Sequence, residues 1–541
     1  MINKSIFSQR YQTCALMIFL LFFSFSGQTQ TSRTDPNAGI KKYNAVMQLI
    51  NYAYVDTINE ARLVEKSIIE TLKELDPHSV YISKKDVQKA NEPLEGNFDG
   101  IGIQFEILRD TISVVHAIPG GPSEKLGISS GDKIVKIDGE VVVGKKITNQ
   151  FVLDHLRGKR GTKVAVSIFR PGKKELIEFS ITRDKIPINS IDAAYMIKPG
   201  IGYINLNKFA QTSMQEFNEA VTLLNAQGMK SMILDLRNNS GGYMGTSIEL
   251  SDEFLGPGKL IVYTQGRQAQ REDFYSSSKG RFESGKLVVM INENSASASE
   301  IVSGAIQDWD RGIIVGRRSF GKGLVQRPFQ LPDSSQIRLT TARYYNPSGK
   351  CIQKSYADGI DKYYEDFSIR MKHGELIHPD SIKFPDSLKY YTSKKRVVYG
   401  GGGIMPDVFI PWDSTPISDY YLELRRKNVV NSFVGDYVDR SRKGLKANYP
   451  DFASFDKSFL IDDAFMADFF TYADKEGVKK DEKGYAASEK LIKSQIKGLI
   501  AQKLWDMNEL YAIINQYDEE VQKAIEVVQD DALFGKLKID R

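Results

Sequence analysis

Apolar residues recur at helical spacing at Ile40, Tyr43, Met47 and Ile50, and again at Val64, Ile68, Leu72 and Leu75. That pattern predicts a small helical region over residues 35–92, closed by the turn signal Asp76-Pro77-His78-Ser79. Over 97–184 the pattern changes. IGIQFEI, TISVVHAI, DKIVKIDG and TKVAVSIF read as short strands, Asp138-Gly139 as a hairpin turn, and Ile147–Arg157 as the one helical segment. Over 185–415 strands and helices alternate, through GIGYINLNKF, a helix opening at Ser213 with Glu216 as capping-box partner, SMILDLR, GTSIELSDEFL, KLVVMINEN, SEIVSGAIQDW and GIIVG. A Tyr- and charge-rich insertion, about 354–396, precedes a flexible glycine turn at Gly400–Gly403. Residues 416–541 are helical and charged. Leu510, Ile514, Tyr517, Val521, Ala524 and Val528 make a seam too short for a long coiled coil and suited to one packed bundle face. The expected fold class is multidomain α+β: an α/β layered core, a β-rich module before it, and helical N- and C-terminal regions.

Length and composition change this picture little. A chain of 541 residues exceeds one core, and 41% hydrophobic with 26% charged residues is ordinary for a globular protein. A net charge of +5, with no basic block interleaved with aromatics, argues against nucleic-acid binding. The N-terminus is more informative. Lys4 and Arg10 precede the apolar run Cys14–Phe25, and the small residues Ser24 and Ser26 follow in cleavage-site spacing. Residues 1–26 therefore read as a secretory signal peptide, which makes the protein exported, to the periplasm if the source is Gram-negative. Membrane attachment is expected only through an uncleaved anchor. Of the two cysteines, Cys14 begins the apolar run, which speaks against a lipoprotein, and Cys351 has no histidine near it in sequence.

The stretch Gly316–Gly323, GRRSFGKG, falls one residue short of a phosphate-binding loop, because Gly323 stands where Ser or Thr is required. A strand, GLVQRPFQLPD, follows it where a helix is needed, so ATP binding is not expected. Lys322 instead reads as a base that lacks a nucleophile. One is offered upstream in NENSASASEI, where a strand ends in small residues and a helix begins near Ser297 to Ser299. Such a junction presents serines and outward N–H groups, although serines there also serve simply as helix caps. The five histidines, His78, His116, His155, His373 and His378, avoid the glycine-framed turns of the core, so Lys in place of His is the expected design. Burial has to lower the lysine's pKa, and Gln326, four residues on, is placed to orient the amine. An oxyanion hole would take the amide after the nucleophile and one from Gly241 or Gly242 in LDLRNNSGG. No cofactor is required, and no HExxH or Cys/His cluster suggests a metal.

SASASEI, FGKGLVQ and DLRNNSGG in this order, after a β-rich module, resemble the carboxyl-terminal processing (tail-specific) serine peptidases. The resemblance runs from Asp76 to about Pro411 and includes LDPHSVY and the Gly403-Ile404 to Val408 segment. It implies a ClpP/crotonase-like peptidase core with Ser297 as nucleophile, Lys322 as general base, Gln326 as its orienter, and the amides of Gly242 and Ala298 as the oxyanion hole. Ser240 departs from the glycine or proline of many members. The resemblance also makes the β-rich module PDZ-like. DGIGIQF then supplies a carboxylate-binding loop at Gly100, Ile101, Gly102 and Ile103, with the tail added as a strand beside it and the helix around Phe151–Leu156 lining the side-chain pocket. Gating of the site by that module is implied by the resemblance alone. The expected partners are protein or peptide C-terminal tails, with a second copy or an adaptor on the helical ends. The rival readings are an idle PDZ scaffold and a histidine-dependent esterase using His155.

Overall fold

The computed structural model describes residues 35–540 apart from Pro36, Pro119, Pro171, Ser278, Lys279 and Lys383. The signal-peptide reading of 1–26 lies outside the described residues. Two compact units divide the chain at Thr71/Leu72. The first holds helix α1 (Ala38–Ala53), which buries none of its residues, and most of α2 (Glu60–Lys73). No helix among the described residues is long and apolar enough to cross a membrane.

The second unit opens with strand β1 (Val80–Ile82) and helix α3 (Val87–Glu95). The β-rich module follows. Strand β2 (Asn97–Gly100) leads into β3 (Ile103–Leu108), β4 (Thr111–Ala117) and β5 (Lys133–Ile137). Helix α4 (Asn149–Leu156) comes next, then β6 (Lys163–Phe169), β7 (Ile177–Thr182) and β8 (Asp184–Pro187). The sheet order is β3-β4-β5-β6-β7, so β3 is an edge strand, and β2 pairs with β8 to close the module at its neck. Ile112, Ile134, Val152, Val164, Ile168 and Ile181 form its core.

The core domain is laid out by buried β-branched runs, the sign of strands covered on both faces. Its strands are β9 (Ile191–Lys198), β10 (Ile201–Leu206), β11 (Ser231–Asp235), β12 (Leu260–Gln265), β13 (Glu272–Tyr275), β14 (Lys286–Ile291), β15 (Ile313–Gly316), β16 (Leu324–Gln330), β17 (Gln336–Tyr345) and β18 (Val408–Phe409). The central sheet runs β9-β10-β11-β14-β15-β18, parallel except for β9. Helices α5 (Ser213–Ala226), α6 (Met244–Asp252) and α7 (Ala298–Asp308) cover one face. A second, antiparallel sheet, β1-β17-β12-β13 with β16 on β17, stands beside it. Residues that follow α2 therefore join the core: β1 pairs with β17, Tyr81 opposite Ile337. The insertion is ordered around helix α8 (Ile360–Lys372).

The C-terminal helices divide their labour. Helices α9 (Asp419–Arg426), α10 (Val429–Asn448) and α11 (Glu482–Leu504), with Phe455 and Phe469 from two shorter helices between α10 and α11, build a cluster that includes Phe433 and Ile496. The apolar seam that follows is not one helix. It breaks between α12 (Met507–Ile514) and α13 (Glu519–Gln529), because the Asp518 carboxylate accepts the N–H groups of Glu520 and Val521 and starts a new helix. Val521, Ala524, Ile525 and Val528 of α13 cover the second face of the central sheet.

Candidate active site

Strand β14 ends at Ile291, and a turn of small residues leads to α7. Its last residue, Ser297, has φ 55° and ψ −111°. A serine held there stores roughly 1–3 kcal/mol of strain and persists only where its surroundings fix it. The fixing groups are identifiable. Ser297 N–H donates to Glu300 Oε2 at 2.8 Å, and the Ser297 carbonyl accepts the Tyr344 hydroxyl at 3.1 Å. The three serines left open by local sequence are separated by burial. Ser295 and Ser299 are fully buried, and their hydroxyls donate to the carbonyls of Leu236 and Asn239, each at 2.8 Å. Ser297 is half-buried and lines a cavity of ≈430 Å³ at the carboxyl ends of the strands.

Glu300 was missed by sequence reasoning, though the spacing Ser297-x-x-Glu300 carries the capping-box signature. It is fully buried and accepts four donors: Ser297 N–H, the Ser319 hydroxyl at 2.5 Å, Gly321 N–H at 2.7 Å and Lys322 N–H at 2.9 Å. Burial pushes its pKa above the ordinary carboxylate range while these donors pull it back. The near-phosphate loop of the sequence is thus a cradle already filled, by a carboxylate of the same chain.

Lys322 is half-buried on the wall of the same cavity. Burial holds its amine below the ordinary lysine range; Glu300 and Asp76 oppose that shift, and Arg338 adds to it. Its Nζ donates to Gln326 Oε1 at 3.0 Å, and Gln326 Nε2 donates to the His78 carbonyl. With an acceptor on one side and a donor on the other, the Gln326 amide has one orientation. The Asp76 turn holds that carbonyl in place: Asp76 accepts His78 N–H at 2.8 Å, the Ser79 hydroxyl at 2.5 Å and the Thr340 hydroxyl at 3.1 Å. Among the described residues no hydrogen bond joins Lys322 Nζ to Ser297 Oγ. Catalytic hydrogen bonds are often long or open before substrate arrives.

Of the two candidate glycines, Gly241 already donates its N–H to Asn239 Oδ1 at 2.9 Å. Gly242 bridges Phe209 in parallel: Phe209 N–H donates to the Gly241 carbonyl at 3.0 Å and Tyr243 N–H to the Phe209 carbonyl at 2.8 Å. That pairing turns Gly242's own N–H away from Phe209. A side chain at Gly242 would start 2.1 Å from the Phe209 carbonyl oxygen, so only glycine fits. Ala298 opens α7, where an N–H has no intrahelical acceptor.

The histidines stand elsewhere. His155 lies on α4, stacked on Phe151 and bonded to the Phe151 carbonyl at 2.8 Å. The His78 ring pairs with the Tyr363 hydroxyl at 2.8 Å and is pushed down to about 4, first by burial and then by Lys322. Neither lines the Ser297 cavity. Burial pushes the Cys351 thiol up, away from the thiolate form that a nucleophile uses. Arg237, after the strand that carries the glycine turn, pairs with Asp235, Asp518 and Glu520, and Glu520 also reaches Arg317 at 2.5 Å. Helix α13 thereby clamps both site-bearing loops from behind.

In the β-rich module, Gly100 pairs with Asp184, and the Ile101 side chain is buried in the module core. Gly102 has φ +74°, and a side chain there would meet Ile186 at 2.8 Å. Ile103, Phe105 and Ile107 of β3 are half-buried, as are Ile147 and Phe151 at the start of α4. They give an apolar groove beside the free edge of β3.

Three family models match the chain: Peptidase family S41 over residues 200–365, PDZ domain over 100–181, and Family of unknown function (DUF8443) over 420–506. A carboxy-terminal-processing protease of Bartonella bacilliformis is 34% identical over 333 residues, 60% of this chain and 76% of that protein. The carboxy-terminal processing protease CtpA of Bacillus subtilis is 33% identical over 332 residues, 61% of this chain and 70% of its own. Among solved structures, a photosystem II D1 C-terminal processing protease is 26% identical over 68% of this chain and 86% of its own, at a TM-score of 0.34. With an S41 peptidase domain following a PDZ domain, and such identity across most of its relatives' length, the chain belongs to the carboxy-terminal-processing proteases.

Proposed function

We propose that the protein is an exported serine endopeptidase that selects proteins by their C-terminal tails and cleaves them with Ser297 and Lys322. The carrying observation is the convergence on one cavity of a strained serine and a lysine whose amine is depressed by burial and aimed by Gln326. In this reading Lys322 is the general base. One amine N–H is taken by Gln326 Oε1, which leaves the lone pair free to receive the Ser297 hydroxyl proton. Oγ attacks the scissile carbonyl, and the oxyanion is met by the N–H groups of Gly242 and Ala298. The protonated lysine gives its proton to the leaving amine, then activates the water that releases the acyl group.

The tail is held by the β-rich module. Its carboxylate sits at the N–H groups of Gly100, Ile101, Gly102 and Ile103, and its backbone extends the sheet at the free edge of β3. The test is an unfolded reporter with a free apolar tail, compared with its amidated twin. Wild type should cut the first faster than the second, and Ser297→Ala and Lys322→Ala should each lose at least about a thousandfold in rate. A Lys322→Ala enzyme as fast as wild type would overturn the assignment of the base. Binding without cleavage by wild type would leave an idle scaffold.

A further inference from the structure

The helical C-terminal region is fastened to the far end of the tail groove. Lys503 pairs with Glu106 at 2.9 Å, Arg109 with Asp436 at 2.8 Å, and Arg442 donates to the Ser130 hydroxyl at 2.7 Å. These contacts hold the body of α10 and the end of α11 against the module near the last residues of β3. A cavity of ≈550 Å³ continues the groove at that junction, lined on one side by the groove residues Phe105, Ile107 and Ile147 with Glu106, Thr148 and Asn149, and on the other by Asn428 and Asn431 at the corner between α9 and α10. Asn431 Nδ2 donates to Asn428 Oδ1 at 2.6 Å, which ties the two carboxamides together. An adjoining cavity of ≈250 Å³ shares both asparagines and is also lined by Gln495, whose buried Oε1 has no hydrogen-bond partner among the described residues.

We infer that this corner is a second substrate site, which binds the extended polypeptide just upstream of the captured tail through its main chain. The inference rests on the tail-capture reading and adds to it. A tail whose carboxylate lies at the start of β3 must run back along that strand. At about 3.3 Å per residue it passes Ile107 roughly four residues from its end. The next residues leave the groove between α4 and the α9–α10 corner, where the lining carboxamides offer both donors and acceptors. Glu106 is already neutralised by Lys503. Uncharged amide groups of this kind match peptide N–H and C=O groups of any sequence, which gives affinity for chain length without narrowing side-chain choice.

The test uses the full chain carrying Ser297→Ala, so that ligands are not consumed, and labelled peptides with a free carboxylate and an apolar end. One is about four residues long, filling the groove alone, and one about eight, reaching the corner. The parent should bind the longer roughly tenfold tighter, the size expected for one or two hydrogen bonds. Asn428→Gly with Asn431→Ala should erase that gain and leave the short peptide unchanged. Glycine suits position 428, where φ is 55°, and the short peptide reports directly that the module remains folded. Equal binding of both lengths by the parent, or equal weakening of both by the variant, overturns this inference while tail capture stands. If the parent binds neither peptide, tail capture itself has failed and the second site falls with it.

Discussion

The Ser297–Lys322 cavity and the groove beside β3 are built in opposite ways. The cavity is made of irregular chain: a serine at φ 55°, glycines at φ +103° and +152°, and a loop wrapped around the buried Glu300 carboxylate. The groove is made of regular elements, the free edge of β3 and the face of α4, with half-buried side chains between them. Strained backbone stays in place only when several groups hold it at once, so the cavity should fail abruptly when one holder is lost. An edge strand keeps its shape whatever side chains it bears, so the groove should weaken by degrees.

Glu300→Gln tests the abrupt half and carries the largest effect among the positioning residues. An amide of the same shape brings its own donor toward four groups that all donate, so at least one of Ser297 N–H, Gly321 N–H, Lys322 N–H and the Ser319 hydroxyl loses its partner. A buried donor left unpaired costs about 1–3 kcal/mol, here concentrated on the two turns that carry Ser297 and Lys322. We expect kcat to fall roughly a hundredfold with tail-peptide affinity unchanged. A fall in affinity as large as the fall in kcat would mean that cavity and groove are one cooperative unit.

Phe151→Ala tests the gradual half. Phe151 is half-buried on α4, packs against the module core and stacks on His155 at 4.0 Å between ring centroids. Removing it takes away part of the groove wall, worth on the order of 1–2 kcal/mol for a side chain only partly covered. KM for a tailed reporter should rise about tenfold with kcat unchanged, and an amidated reporter should be indifferent to the change. A kcat effect would show that groove occupancy gates the chemistry.

The same contrast explains what could be read from the sequence. Period and burial gave the parallel strands and their covering helices, because SMILD, KLVVMI and IIVG have no alternative to a doubly covered sheet. Motif order singled out Ser297, but local physics did not, since Ser295 and Ser299 are set apart from it by burial and by carbonyls that each finds across the fold. Glu300, and the part that the Asp76 turn plays in the site, went unread for a related reason. Their importance lies in partners 19 to 264 residues away, which no window of sequence displays. The C-terminal seam failed at one point, Asp518, where a side-chain cap outweighed an otherwise continuous apolar period.

The smallest effect is also the sharpest test of the base. Burial is the main cause that depresses the Lys322 amine, but Arg338, on the same cavity wall, adds to the depression through its charge. In the proposed mechanism the neutral amine is the active form, so kcat/KM should rise with pH through the lowered Lys322 pKa and level off above it. Arg338→Gln removes a positive charge near the amine, which makes protonation easier and raises that pKa. The acid limb of the profile should therefore move to higher pH, so that activity near neutrality falls while the plateau at high pH is kept. Arg338 also donates to the Ala90 carbonyl at 3.0 Å and the Asn91 side chain at 2.8 Å, and losing those bonds alone would lower the whole profile without moving its limb. A limb that stays in place, or moves to lower pH, would mean that the titrating base is a group other than Lys322.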